Sequence, residues 1–112
     1  MEIKIKKAPL KKRKAKPNDE SKLGFGKIFT DHMFTMKYKE GKGWYDAVIE
    51  PYHALYLDPT AMCLHYGQEI FEGLKAYRGP KNEIYLFRPT ENIKRMNLSA
   101  ERLCMAHIDE DL

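Results

Sequence analysis

The chain has no long apolar run. Nothing in it approaches the ~20 consecutive apolar residues that a membrane-spanning helix requires, so a helical membrane span is excluded. The opening Met1-Glu2-Ile3-Lys4-Ile5-Lys6-Lys7 lacks the apolar stretch of a secretion signal. Cysteine is scarce. Cys63 and Cys104 both sit among apolar neighbours, with no C-x-x-C and no Cys/His spacing of a metal site. A disulfide framework and a structural zinc site are therefore excluded, and two buried thiols in a reducing cytoplasm are expected. Internal repeats are absent. Excess positive charge is also absent from most of the chain. The net +4 comes from residues 1–20, which hold eight Lys/Arg against three Asp/Glu, while the remainder is balanced to within one charge. A nucleic-acid-binding domain carries its basic face on the folded body, so no nucleic-acid partner is expected and the basic segment reads as a solvated tail.

What remains is an ordinary globular mixture, 43% hydrophobic and 32% charged, enough for one modest core in a 112-residue chain. Ile3 and Ile5 alternate with charge and suit a short edge strand. Residues 8–22, with Pro9, Pro17, Asn18 and Asp19 among lysines, read as a mobile connector. The folded body is expected to start near Leu23. Aromatic and β-branched residues predict a strand over 28–38, a turn at Lys39–Gly43 and a second strand over 44–50 that Pro51 ends. Ala54–Leu57 is a further short strand. Asp58-Pro59 predicts a short helix over 59–66. Residues 73–77 and 83–87 predict a second hairpin. Thr90 is the expected N-cap of a last helix, whose buried face is Ile93, Met96, Asn97, Ala100, Leu103 and Cys104. Arg95, Ser99 and Arg102 share its opposite face.

The run Leu64-His65-Tyr66-Gly67-Gln68-Glu69-Ile70-Phe71-Glu72-Gly73-Leu74-Lys75-Ala76-Tyr77 follows neither a helical nor a strand period throughout. Such a break in local pattern marks a candidate functional site. His65 and Glu72 invite an acid–base reading, but neither has a partner at a useful spacing, and a satisfied polar residue in a turn is the expectation. Lys75 reads as solvated. Gly67 and Gly73 relax the backbone around the aromatics.

Three blocks carry a resemblance: Leu23-Gly24-Phe25-Gly26-Lys27-Ile28-Phe29-Thr30-Asp31-His32-Met33-Phe34, then Leu64–Tyr77, then Leu86-Phe87-Arg88-Pro89 leading to Ile93-Lys94-Arg95-Met96. Together, in this order, they resemble the N-terminal part of branched-chain amino acid aminotransferases, which are fold type IV pyridoxal-phosphate enzymes. The resemblance implies a small α+β (α/β) domain, mostly antiparallel sheet with about two helices, over residues 23–112, preceded by a basic segment over 1–22. It implies pyridoxal 5'-phosphate as cofactor, a homodimer, and amino-group transfer between leucine, isoleucine or valine and 2-oxoglutarate. The family's Schiff-base lysine lies in a larger second domain, so it is expected beyond Leu112, no lysine here is assigned as catalytic, and the chain alone is expected to be inactive.

The same resemblance assigns residues. Arg95 matches the arginine that holds the cofactor phosphate, a task for which a planar guanidinium is suited. Phe25, Tyr66 and Phe71 match residues lining the pocket for the substrate side chain, where an apolar wall is needed. From pattern alone, Arg95 is a charged residue on a polar helix face, and the three aromatics serve equally well as core. The competing readings are a small basic-tailed RNA-binding module and a vestigial domain kept for protein contacts.

Overall fold

Strand-forming sequence around a glycine-rich turn organises the first half of the chain. In a computed structural model describing residues 1–111, β2 (His32–Lys39) and β3 (Gly43–Pro51) form an antiparallel hairpin. The turn closes with the Lys42 N–H donating to the Lys39 carbonyl at 3.0 Å. Gly41 and Gly43 both take φ of +78°, which a side chain would oppose. Tyr38 lies opposite Trp44 in the ladder, their rings 5.2 Å apart. The register shifts by one between Thr35 and Lys37. Asp46, at φ +57°, carries the extra residue of this bulge, and its carboxylate meets Lys37 Nζ at 2.7 Å.

The basic segment is not a free tail. Lys4–Ile5 forms β1 and pairs in parallel with Val48–Ile49, giving the sheet order β1-β3-β2. The Ala8 N–H donates to His32 Nε2 at 2.8 Å, and the Lys14 N–H donates to Asp31 Oδ1 at 2.9 Å. Where the sequence suggests a mobile connector up to Leu23, residues 4–14 are thus tied to residues 31–49. The reason is that strand pairing uses backbone groups and is indifferent to the charge of outward side chains. Ala8, Ala47 and Val48 are buried at this seam. β2 starts later than expected, at His32, and no strand covers Ala54–Leu57.

The chain divides into two compact units, residues 1–56 and residues from 57 onward. In the second, Asp58 Oδ1 accepts from the Thr60 N–H at 2.8 Å and from its hydroxyl at 2.6 Å. This local turn replaces the first turn of the expected helix, so α1 is only Met62–His65. β4 (Ala76–Arg78) and β5 (Ile84–Leu86) form a short antiparallel hairpin. α2 spans Pro89–Arg102. Its N-cap is Arg88, not Thr90, because Pro89 has the φ that suits the first helical position and needs no N–H donor.

The end of α2 also departs from expectation. The Met105 N–H donates to the Ala100 carbonyl and the Cys104 N–H to the Glu101 carbonyl, with Cys104 left-handed at φ +54°. This is the Schellman pattern. It turns the chain away before Leu103 and Cys104 can continue the buried face, so both are exposed. Cys63 is half-buried, so neither thiol is the fully buried group expected. Ile93, Met96 and Asn97 are half-buried and Ala100 is buried. The Asn97 side-chain amide bonds both the N–H and the carbonyl of Ile108 at 2.9 Å, fastening the following segment to the helix. The architecture is α+β, with mixed sheets and two helices, as expected.

Candidate functional site: the arginine–glutamate fork on the last helix

The unpatterned run near residue 70 and the helix α2 meet through one carboxylate. Asn92 and Arg95 are three residues apart, which places them on the same side of α2. Both reach Glu72. Arg95 Nε donates to Oε2 at 2.6 Å, Arg95 Nη2 donates to Oε1, and Asn92 Nδ2 donates to Oε1 at 3.1 Å. The Gly73 N–H adds a fourth donor at 2.9 Å. Asn92 also donates to the Gly73 carbonyl at 2.8 Å, which closes the network.

The electrostatic consequence is direct. The hydrogen bonds from Arg95, reinforced by Asn92 and the Gly73 N–H, hold the Glu72 carboxyl down at about 2 against partial burial. Glu72 reciprocally raises the Arg95 guanidinium. A carboxylate so fully hydrogen-bonded is a poor general base near neutrality, so the acid–base reading of Glu72 is set aside. Glu72 is not without a partner, contrary to the expectation from spacing: its partners stand 20 and 23 residues downstream. Spacing along the chain could not reveal them, because they are brought in by the packing of α2. His65 is satisfied locally, with Nε2 at 2.5 Å from the Pro59 carbonyl.

Glu72 and Arg95 differ in exposure. The Glu72 side chain is 8% exposed and that of Arg95 is 67% exposed. The fork occupies the Nε–Nη2 edge, which leaves the Nη1 edge facing away from Glu72. Arg95 lines an open surface hollow of about 770 Å³ with Leu98, Ser99, Glu101 and Arg102. The Ser99 hydroxyl donates to the Arg95 carbonyl at 3.1 Å. The guanidiniums of Arg95 and Arg102 offer planar N–H donors there, with Glu72 paired to Arg95 and Glu101 also on the lining.

The aromatic candidates are surface residues. Tyr66 is 80% exposed and Phe71 83% exposed. A Cβ at Gly73 would lie 3.9 Å from the Phe71 ring, so that ring sits over the residue next to Glu72. In the other unit Phe25 is 92% exposed, flanked by Gly24 and Gly26, both at φ +65°. None of the three is a core residue.

Over 99 residues, 88% of its length, the chain is 54% identical to branched-chain-amino-acid aminotransferase 2 of Bacillus subtilis. It is 56% identical over 99 residues to branched-chain-amino-acid transaminase 1 of the same organism. The chain belongs to the branched-chain aminotransferase family. The cytosolic branched-chain-amino-acid aminotransferase of Saccharomyces cerevisiae is 50% identical over 97 residues. No family model matches the chain. The matched region spans only about a quarter of the length of these aminotransferases. No helix among the described residues is long and apolar enough to cross a membrane, and no cluster of potential metal ligands is found among them.

Proposed function

We propose that this chain supplies part of the cofactor and substrate site of a pyridoxal-phosphate-dependent transaminase that moves the amino group between leucine, isoleucine or valine and 2-oxoglutarate. The observation that carries the reading is the Arg95 fork. It is a guanidinium fixed along one edge, open along the other, and exposed on a helix face with Arg102 and Ser99 nearby. Such a group suits a dianionic phosphate, because planar N–H donors match phosphate oxygens and a fixed fork loses little further freedom on binding. Arg95 would hold the cofactor's phosphate, with Glu72 and Asn92 behind it. When bound, the cofactor supplies an electron sink for carbanion chemistry at the substrate's α-carbon. The proton-transferring lysine is assigned outside this chain.

Tyr66 and Phe71 would give an apolar surface for a branched side chain, and Phe25, in the other unit, is assigned by the same resemblance as a separate substrate contact. Their exposure supports this use, since a wall for a ligand or partner cannot be occupied by the chain's own core. The relatives' names, branched-chain-amino-acid aminotransferases, support the substrate class. We also propose a homodimer acting in the cytoplasm.

The test uses the full-length polypeptide that carries this sequence. Arg95→Ala weakens pyridoxal-phosphate binding by at least about tenfold, the loss expected for a charge-assisted hydrogen bond. Unchanged affinity in a spectroscopic titration would overturn the assignment.

A further inference from the structure

An exposed arginine is a poor binding group by default. Its long side chain carries about 2 kcal/mol of rotamer freedom, which a ligand must remove before the guanidinium is of use. Arg95 is two-thirds exposed, yet it is not free. Glu72 grips the Nε–Nη2 edge through both carboxylate oxygens. Glu72 itself is shielded from solvent, and its Oε1 accepts further from Asn92 and the Gly73 N–H. Asn92 is in turn held by the Gly73 carbonyl. Glu72 thus holds one edge of Arg95 and is itself held by Asn92 and Gly73, while the far edge of the Arg95 guanidinium is left turned away from this network.

We infer that Glu72, held by Asn92 and the Gly73 backbone, is a positioning residue that presets the Arg95 guanidinium for an incoming phosphate group. The inference rests on the proposed phosphate role of Arg95 and adds a residue that touches neither cofactor nor substrate. Two effects of the carboxylate oppose one another. It orients the fork, which favours phosphate binding, and its negative charge cancels part of the arginine's, which disfavours it. Orientation is the larger effect here, because the outward edge stands in solvent where charge is screened, whereas the gripped edge is a short bidentate contact.

The opposition makes the inference testable. In the full-length polypeptide, dissociation constants for pyridoxal phosphate and for pyridoxal, which has no phosphate, are measured by absorbance titration. The variants are Glu72→Gln, Glu72→Asp, Arg95→Ala and the double Glu72→Gln/Arg95→Ala. Glu72→Gln is expected to weaken pyridoxal phosphate about tenfold and to leave pyridoxal unchanged. Glu72→Asp, which keeps the charge but is one methylene shorter, falls between. In the Arg95→Ala background Glu72→Gln adds nothing, since the two act as one unit. A merely structural Glu72 would instead weaken both ligands equally and add its loss to that of Arg95→Ala, and this result overturns the inference. Tighter binding of pyridoxal phosphate by Glu72→Gln also overturns it, because charge cancellation would then dominate. If Glu72→Gln does not fold, Glu72→Asp decides alone by whether its loss is confined to the phosphorylated ligand. Should Arg95→Ala leave pyridoxal phosphate binding intact, the phosphate reading fails first, a result separate from an inert Glu72→Gln beside a damaging Arg95→Ala.

Discussion

Replacing Cys104 with glycine should stabilise the chain. Cys104 occupies the left-handed position after α2, at φ +54°, inside a Schellman pair of hydrogen bonds from Met105 and Cys104. A side chain in that conformation costs about 1–2 kcal/mol. Glycine removes this cost but has more unfolded-state freedom to lose, about 0.5–1 kcal/mol. The Cys104 side chain is exposed, so little packing is lost with it. The balance is a net gain of about 0.5–1 kcal/mol. With a urea slope near 1–3 kcal/mol per molar, the unfolding midpoint of Cys104→Gly rises by roughly 0.2–1 M. Circular dichroism at increasing urea reads the change. Cys104→Ala keeps the strained φ and is the control, with a midpoint near that of the parent. Cys104→Val, β-branched, falls below both. If glycine and alanine give the same midpoint, the left-handed position carries no strain and the reasoning fails.

Other outcomes follow from contacts already described. His32→Phe removes the acceptor of the Ala8 N–H and should cost about 0.5–1.5 kcal/mol, with amide exchange rising first at residues 4–8; unchanged exchange there would mean that β1 does not depend on His32. Glu72 has its carboxyl held at about 2, below its ordinary 4.5. Its contribution to stability is therefore complete above about pH 4.5 and is lost as pH falls from there toward 2; Glu72→Gln should flatten that part of an acid-unfolding curve, and an unchanged curve would show that the fork adds no pH dependence. Asp46→Val should lower the unfolding midpoint more than Asp46→Asn, because asparagine tolerates φ near +57° and a β-branched residue does not. In the full-length polypeptide, Phe71→Ala should change the ranking of leucine, isoleucine and valine; an equal loss on all three would remove Phe71 from the pocket.

Much of the fold was written in local sequence. The β2–β3 hairpin follows from aromatic and β-branched residues around Gly41 and Gly43, and α2 from the spacing of Ile93, Met96 and Ala100. Two things were hidden for a common reason. The pairing of Lys4–Ile5 with β3 and the grip of Glu72 on Arg95 both join residues far apart in the chain. Neither leaves a periodic trace, since backbone pairing ignores outward side chains and a carboxylate in an irregular segment looks like any solvated one. Helix ends were lost differently. Thr90 and Leu103 fit general capping and periodicity rules, but the specific turns at Arg88 and Cys104, both left-handed, decide where α2 begins and ends. Family resemblance pointed to Arg95, and only the folded arrangement shows what stands behind it.

The buried residues among those described are Ala8, Ala47, Val48 and Ala100, and three of the four are alanine. Alanine offers almost nothing to delete, so the usual way of damaging a protein from within, carving a void by truncation, has few targets here. Enlargement is the hazard instead. Adding methylenes where backbones meet at close range forces whole segments apart, at a typical cost of about 1–3 kcal/mol. Natural variation in this chain should therefore be bounded from above in side-chain volume at positions 8, 47 and 100, while its large exposed apolar residues stay free to change unless a ligand or partner constrains them.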